Sequence, residues 1–338
     1  MAERRDVIAA GASAGGVEAL RALVAGLPPD FPGSVLVVLH IPREAPSALP
    51  SILDRSGPLS ASTAVDGEPL RPGHIFVAPN DHHLLVLDGL IRLTRGPAEN
   101  GHRPAIDPLF RSVARTFGRR AVGVVLSGTR DDGAAGLVNI VRRGGVAVVQ
   151  DPADALYAHM PRAALALVST EHVAPAAKLG GLIAEIVAED LSNVPAVDDD
   201  ALLNAEVAMS ELGPLTAEDL ALPAAGYGCP SCGGSLFEVT DDPVPRYRCR
   251  VGHAWSPDSL LEEQAIALEG ALWMALRALE EKSALGRRLA GVHRPSSASQ
   301  LRFRDLAADA EAAGATIRQL IDRLGSTVAR AGDASPPA

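Results

Sequence analysis

The feature that most constrains the fold is a series of short, wholly apolar runs in the first 190 residues, separated by segments with helical periodicity. Val35 to Leu39 is apolar at every position, which is typical of a strand covered on both faces. Similar runs occupy residues 7–10, 122–126 and 146–149. Helical spacing follows Gly16, and a further helix is predicted over 132–141. This alternation predicts a doubly wound α/β fold with a mostly parallel sheet and helices on both faces.

The rest of the chain changes in composition and is predicted to divide into several parts. Two stretches, starting near Leu261 and Leu306, repeat apolar residues at steps of three and four, which predicts a helical hairpin or a coiled coil. Within the first part, Asp88-Gly89 between two β-rich runs predicts a β-hairpin over residues 84–93. We expect an α/β domain over 1–190, a linker over 191–225, a Cys/His module over 226–257, the helical hairpin over 258–328 and a disordered tail over 329–338.

Charge and hydropathy exclude several classes of protein. Residues 1–180 have 18 basic and 17 acidic side chains, whereas the remainder has 13 and 24. Neither part has the basic surplus of a nucleic-acid binder. No apolar run approaches the roughly 20 residues of a membrane helix, and the N-terminus lacks the pattern of a secretory signal. We therefore expect a cytoplasmic protein without membrane insertion.

The three cysteines of the chain lie close together and predict a metal site. Cys229 and Cys232 are separated by two residues, and Cys249 and His253 by three, with sixteen residues between the pairs. A disulfide framework would spread an even number of cysteines through the fold. Three thiols and an imidazole suit tetrahedral zinc, and four protein ligands leave no open position for catalysis. The sequence therefore predicts structural Zn²⁺.

A Gly-x-Ser-x-Gly turn, residues 11–15, lies between the first predicted strand and the helix that follows. Its glycines permit a tight turn that projects the Ser13 hydroxyl from the carboxyl edge of the sheet, where the helix N-terminus offers N–H groups to an oxyanion. Dinucleotide binding is the competing interpretation. It favours Gly-x-Gly-x-x-Gly and an acidic residue after the second strand, but that place holds His40.

Two further side chains are expected near Ser13. His40 ends the second predicted strand, and if that strand neighbours the first, its imidazole can take the proton of the serine hydroxyl. A carboxylate that orients the imidazole is available at Asp131 or Asp132, after another buried strand. The local sequence does not distinguish between these two aspartates.

Six short motifs in register give the first half of the chain a specific resemblance. They occupy residues 11–16, 39–42, 77–83, 102–107, 126–136 and 150–164. Together they resemble the catalytic domain of the protein-glutamate methylesterases of bacterial chemotaxis, from about residue 6 to about residue 188. The resemblance implies that Ser13 is the nucleophile, His40 the base and Asp132 its partner. It also implies that the N–H groups near Ala14 and Gly15, with Thr129, hold the oxyanion.

The implied activity is hydrolysis of γ-glutamyl methyl esters on methylated chemoreceptors, without a cofactor, and in some members deamidation of glutamine. Ala14 replaces a hydroxyl residue that is common in the family, and Thr129-Arg130 replaces a common Met-Gly. Since the sequence begins at the esterase region, control by a receiver domain within the chain is not expected, which leaves room for a separate regulator. The helical hairpin suggests self-association. The alternative hypothesis is a non-catalytic signalling adaptor built on a decayed esterase fold.

Overall fold

The computed structural model describes residues 4–43, 47–192, 197, 200–211, 222–239 and 245–332. The chain forms two compact units, Met1–Leu260 and Leu261–Ala338. The Cys/His module therefore belongs to the same compact unit as the α/β region. The predicted five-part division rests on composition and remains a prediction.

The first 190 residues alternate strands and helices as predicted. In chain order the elements are β1 (Val7–Ala12), α1 (Gly16–Ala25), β2 (Ser34–Leu39), α2 (Leu49–Asp54), β3 (Ser60–Thr63), β4 (His74–Val77), β5 (His83–Leu87), β6 (Leu90–Thr94), α3 (Ile106–Phe117), β7 (Ala121–Val125), α4 (Ala134–Arg142), β8 (Val146–Gln150), α5 (His159–Leu167), β9 (Val173–Ala174) and α6 (Ala176–Ala188). Seven strands form one parallel sheet in the order β3-β4-β2-β1-β7-β8-β9. This confirms the doubly wound α/β fold.

Helices cover both faces of the sheet, which explains why its central strands are apolar at nearly every position. Every residue of β1 and β2 is buried. One face packs against α1, α2 and α6, and the other against α3, α4, α5 and the β5–β6 hairpin. That hairpin turns at Asp88 and Gly89, both with positive φ, as the Asp-Gly pair predicts.

The strand order reverses at β1, and this reversal positions the candidate site. The strand β1 pairs with β2 on one side and with β7 on the other. The loops that leave the carboxyl ends of these three strands therefore meet at one place on the sheet edge. In open α/β sheets, this topological switch point is the usual location of ligand sites.

Between the sheet and the Cys/His module, the predicted linker contains α7 (Ala201–Ser210), which packs against α3. Residues 193–196, 198–199 and 212–221 of that segment lie outside the described residues. Four antiparallel strands then form the module: β10 (Ala224–Gly228), β11 (Ser235–Val239), β12 (Arg246–Cys249) and β13 (Ala254–Trp255).

A buried cluster of five charged side chains joins these parts of the first unit. Glu99 accepts hydrogen bonds from Arg111 of α3 at 2.6 Å and from Arg248 of β12 at 3.0 Å. Glu206 of α7 accepts from Arg246 at 2.6 Å and from Arg248 at 3.0 Å. Because the arginines lie opposite the two carboxylates, no charge in the cluster is buried without a partner of opposite sign.

Two long helices complete the described chain, α8 (Pro257–Val292) and α9 (Ala298–Gly332). The N–H of Ser259 donates to the Ser256 hydroxyl at 3.1 Å, and Ser256 thereby caps the N-terminus of α8. In the second unit the helices run antiparallel, with ion pairs between Arg287 and Glu311 and between Arg318 and Glu280.

The C-terminal boundary of α9 differs from the predicted end of the hairpin. The helix continues to Gly332, whereas residues 333–338 of the predicted tail lie outside the described residues. No helix within the described ranges combines the length and the apolar character that crossing a membrane requires.

Candidate active site

Ser13 lies at the turn between β1 and α1. Its N–H donates to the Ser127 carbonyl at 3.0 Å, and its own carbonyl accepts from the N–H of Gly16 at 2.9 Å. Gly15 caps the helix with φ of 69°, a conformation that favours glycine. A Cβ at that position would lie 2.7 Å from the Ser127 hydroxyl and 2.9 Å from Cβ of Leu156. The glycine therefore serves both the backbone conformation and the close packing of the turn.

His40 follows the neighbouring strand at the same edge. Its N–H donates to the Ala12 carbonyl at 3.1 Å, because β1 and β2 pair in a register that places Ala12 beside Leu39. Ser13 and His40 line the same open cavity of about 480 Å³, together with Ala14, Ile41, Pro42, Arg43, Gly101, His102 and Arg103. The two side chains are not hydrogen-bonded to each other. Contacts of this kind commonly tighten only when substrate is bound.

Asp132 contacts the imidazole directly. Its Oδ2 lies 2.7 Å from Nε2 of His40, and the carboxylate is 1% exposed. Burial alone would raise the pKa of Asp132, but the hydrogen bond and charge of His40 and the N–H of Ile106 hold it well below its usual value. The neighbouring Asp131 turns elsewhere and accepts hydrogen bonds from the hydroxyls of Ser256 and Ser259. The geometry thus distinguishes the two aspartates that the local sequence does not.

The hydrogen bond to Asp132 defines which nitrogen of His40 can act as a base. An anionic carboxylate can only accept, so Nε2 of His40 is the nitrogen that donates to Asp132. The other nitrogen, Nδ1, is buried and has no hydrogen-bond partner among the described residues. Nδ1 is therefore the ring nitrogen that is not committed to another group.

A second histidine stacks on His40 and was given no role by the sequence. The rings of His40 and His102 lie 3.7 Å apart at an interplanar angle of 12°. Burial, and then the charge of His40, lower the pKa of His102 to about 3. The ring of His102 is therefore neutral near pH 7 and packs against His40 without competing for a proton. The only signal in the sequence was its place in the 102–107 motif.

Asn100 and Asp107 complete the surroundings of Asp132, and neither was singled out from the sequence. The Asn100 amide donates to Oδ1 of Asp132 at 3.0 Å and to Oδ2 of Asp107 at 3.2 Å. Backbone N–H groups of Ile106 and Asp107 also donate to Asp132, at 2.7 and 3.3 Å. Burial, and then the negative charge of Asp132, raise the pKa of Asp107 to about 8. The anionic carboxylate of Asp132 and the carboxyl of Asp107, whose raised pKa favours protonation, thus both accept from the amide of Asn100.

The three candidate oxyanion residues are placed differently. Ala14 lines the cavity beside Ser13, whereas Gly15 and Thr129 are not among its described lining residues. The N–H groups of Ser13 and Gly16 are already used in backbone hydrogen bonds. Within the described residues, the N–H groups of Ala14 and Gly15 donate no such backbone hydrogen bond. Thr129 is exposed in the loop after β7.

The four predicted metal ligands come together in the module. The ligand atoms of Cys229, Cys232, Cys249 and His253 all lie within 4.8 Å of one another. The sulfurs of Cys232 and Cys249 are 3.7 Å apart, and Sγ of Cys249 lies 3.5 Å from Nδ1 of His253. Tetrahedral zinc at ordinary bond lengths would separate two sulfurs by about 3.8 Å, and a sulfur and a nitrogen by about 3.6 Å. The cluster therefore has the donors and the spacing of a metal site.

Comparison with known proteins gives the same answer for the first half of the chain. A sequence model of the CheB methylesterase family matches residues 8–183. A protein-glutamate methylesterase/protein-glutamine glutaminase of Thiobacillus denitrificans is 39% identical over 186 residues, 54% of this chain and 52% of the relative. One from Yersinia pestis is 43% identical over 165 residues, 48% of this chain and 47% of the relative.

A solved structure extends the likeness to the fold. The crystal structure of the Thermotoga maritima CheB methylesterase catalytic domain matches with a TM-score of 0.52 and 28% identity, and covers 54% of this chain and 98% of that one. The chain spans about half the length of the curated relatives it matches. The family's sequence model covers more than half of the residues, and so the chain belongs to the CheB methylesterase family.

Proposed function

We propose that the chain is a serine hydrolase that removes methyl esters from glutamate side chains of chemoreceptors or receptor-like signalling proteins and releases methanol. The observation that supports this best is the 2.7 Å contact between His40 and Asp132 at the wall of a cavity that Ser13 also lines. The relatives named protein-glutamate methylesterase/protein-glutamine glutaminase supply the substrate class.

In the proposed reaction, Nδ1 of His40 takes the proton of the Ser13 hydroxyl as its oxygen attacks the ester carbonyl. The resulting imidazolium is stabilised by Asp132, which keeps its negative charge. The imidazolium then protonates the departing methoxide, and methanol leaves. Water, deprotonated by the same nitrogen, hydrolyses the acyl-enzyme and restores the serine. Asp132 orients the ring through both steps.

The negative charge of the tetrahedral intermediate needs donors at the helix N-terminus. We assign this role to the N–H groups of Ala14 and Gly15, with Thr129 as a contributor from the loop after β7. Ala14 has no side-chain hydroxyl, so backbone donors have to supply the stabilisation at this position.

Deamidation of glutamine is the second activity that we propose for the same site. An amide carbonyl is attacked in the same way as an ester carbonyl. The imidazolium then protonates the amide nitrogen of the tetrahedral intermediate, and ammonia leaves in place of methanol. The printed names of the relatives pair the two activities. We also propose a cytoplasmic location and a separate protein as regulator.

We propose Zn²⁺ as the metal of the Cys/His module, with a structural role. Three sulfurs and an imidazole nitrogen complete a tetrahedron, and the chemistry proposed for Ser13 needs no metal. Bound zinc would hold the turns at Cys229 and Cys249 together. Metal analysis of the purified full chain tests the assignment: about one zinc per chain is expected, and its absence after refolding with zinc would refute it.

We also propose that the second unit mediates self-association. Its helices expose large apolar side chains, among them Trp273, Met274 and Leu285, at 52, 65 and 56% exposure. Exposed apolar surface on a helical hairpin is commonly covered by another helix. Light scattering on the full chain distinguishes the outcomes: a dimer supports the proposal, and a monomer at all concentrations contradicts it.

The hydrolase assignment is tested with a fluorophosphonate probe and with methanol release from a methylated receptor fragment. The wild type and the control Ser60→Ala, at an exposed position of β3, should label and release methanol. Ser13→Ala should do neither. Absence of labelling in the wild type and in both variants would refute the hydrolase and favour the non-catalytic adaptor.

A further inference from the structure

The Cys/His module contacts the α/β region at two consecutive residues, Glu99 and Asn100. Arg248 of the module donates to the buried Glu99 carboxylate at 3.0 Å. The N–H of Asn100 donates to the carbonyl of Ala254 at 2.8 Å, and the N–H of Ser256 donates to Oδ1 of Asn100 at 2.8 Å. Asn100 is therefore held by the module through both its backbone and its side chain.

The other end of the same side chain contacts the proposed catalytic aspartate. The amide nitrogen of Asn100 donates to Oδ1 of Asp132 at 3.0 Å, opposite the oxygen that contacts His40. Because Oδ1 of Asn100 already accepts from Ser256, rotation of the amide by half a turn would break both contacts. The module thus determines which way the donor of Asn100 points.

A second contact reaches the residue beside Asp132 in the chain. Oδ1 of Asp131 accepts from the hydroxyls of Ser256 at 2.7 Å and Ser259 at 2.8 Å. Ser256 therefore contacts Asn100 with its backbone and Asp131 with its side chain. The segment that follows His253 thus contacts the Asp132 loop in two ways, directly at Asp131 and through Asn100.

The proposed metal site lies directly beside these contacts. His253 immediately precedes Ala254, and the N–H of Cys249 donates to the His253 carbonyl at 3.0 Å. The buried core of the module is small and consists of Cys229, Leu236, Cys249, Trp255 and Leu260. Small modules with so little apolar core commonly depend on their metal for folding. Loss of metal should therefore loosen β13 and with it the anchor of Asn100.

We infer that Asn100 is a positioning residue that couples the Cys/His module to Asp132, so that metal in the module sets the turnover rate of the esterase site. The inference rests on the proposed function. In the metal-bound chain, Asn100 holds the carboxylate in line with His40. In the metal-free chain the amide is no longer fixed, and Asp132 loses its orientation although Ser13 and His40 are unchanged.

The test combines metal removal with a substitution in the full chain. Asn100→Ala should lower kcat by about 10- to 100-fold and leave KM within about twofold, because it alters the orientation of the base and leaves the binding surface in place. Asn139→Ala is the matched control, since Asn139 is also buried but, among the described residues, donates only to the Ala135 carbonyl in its own helix α4. Zinc removal by chelation should lower kcat of the wild type and of Asn139→Ala by a similar factor. In Asn100→Ala it should add less than about a further twofold, because both changes break one connection.

Amide hydrogen exchange gives a readout that does not depend on activity. Metal removal should speed exchange in peptides covering 99–107 and 128–136, and should leave a peptide of α6 on the opposite face unchanged. The coupling would be overturned if chelation and Asn100→Ala lowered kcat by factors that multiply. It would also be overturned if metal removal left hydrogen exchange at residues 99–107 unchanged. A metal-loaded wild type that neither labels nor turns over would instead refute the proposed function, while the exchange experiment would still decide whether the module holds Asn100.

Discussion

Replacement of Asp132 by asparagine isolates the charge of this side chain with little change in its shape. The carboxylate accepts four hydrogen bonds, two at each oxygen. An amide can accept at only one end. If its NH2 group faces His40, the imidazole has to move its proton to Nδ1 and can no longer take one from Ser13. If the NH2 group faces Asn100, two donors oppose it and the imidazolium still loses its counter-ion.

The size of the effect follows from the separation of the charges. At the 2.7 Å that separates Nε2 from Oδ2, two unit charges attract by about 6 kcal/mol with an effective dielectric constant of about 20. The cost of burying the pair offsets part of this. We therefore expect Asp132→Asn to lower kcat by about 10³- to 10⁴-fold, in the range found for the same change in serine-protease triads.

The assay is methanol release from a methylated receptor fragment at saturating substrate, with thermal unfolding measured in parallel. Asp131→Asn is the matched control, because it changes the adjacent carboxyl, which contacts hydroxyls and not His40. Its kcat should fall by less than about tenfold. If a cooperatively folded Asp132→Asn variant retained more than about a tenth of the wild-type kcat, the orienting role assigned to this carboxylate would be wrong.

Three further predictions follow from the packing. In Gly128→Ala the new Cβ would lie 2.0 Å from the sulfur of Met160 and 2.9 Å from Cβ of Ser13, so fluorophosphonate labelling should slow about 100-fold. The control Gly181→Ala, whose new Cβ would have no atom within 4 Å, should label normally. Arg248→Met should lower the free energy of unfolding in urea by about 3–5 kcal/mol, because it leaves buried carboxylates short of a partner, whereas Arg287→Met, in an exposed ion pair, should cost less than about 1 kcal/mol. Since the pKa of Asp107 is raised to about 8, the folded chain binds a proton between pH 5 and 8 that the unfolded chain releases. Stability should therefore fall as pH rises, by at most about 1.4 kcal/mol per pH unit, and Asp107→Asn should flatten that slope in urea unfolding. The first prediction would be contradicted by equal labelling of the two alanine variants, and the second by equal losses of unfolding free energy in the two methionine variants. The third would be contradicted if Asp107→Asn left the pH dependence of stability unchanged.

Much of the fold was predictable because its determinants are local. Apolar runs such as Val35 to Leu39 identify buried parallel strands, and the Gly-rich turn at residues 11–15 identifies the passage from strand to helix. Once the first two strands are neighbours, Ser13 and His40 have to lie at the same edge. The structure shows this neighbourhood in the register of Ala12 beside Leu39.

The surroundings of the site were not predictable, because they depend on residues far apart in the sequence. Asp131 and Asp132 belong to the same turn, and only the path of the backbone decides which one meets His40. The partners of Asn100 are 32 residues away at Asp132 and 156 residues away at Ser256. A short sequence motif does not encode contacts between residues so far apart in the chain. Asn100 also follows no helical or strand periodicity that would single it out.

The buried charges around Glu99 have a consequence for where this chain can be truncated. The match to the family's sequence model ends at residue 183, yet Glu99, inside that limit, accepts a hydrogen bond from Arg248 beyond it. Arg248 also pairs with Glu206. A fragment that ends at residue 183 would lose Arg248 and Glu206 and leave the buried Glu99–Arg111 pair without the residues that cover it. The family match and the buried cluster of charges therefore end at different residues, and a shortened chain for expression should keep the whole cluster.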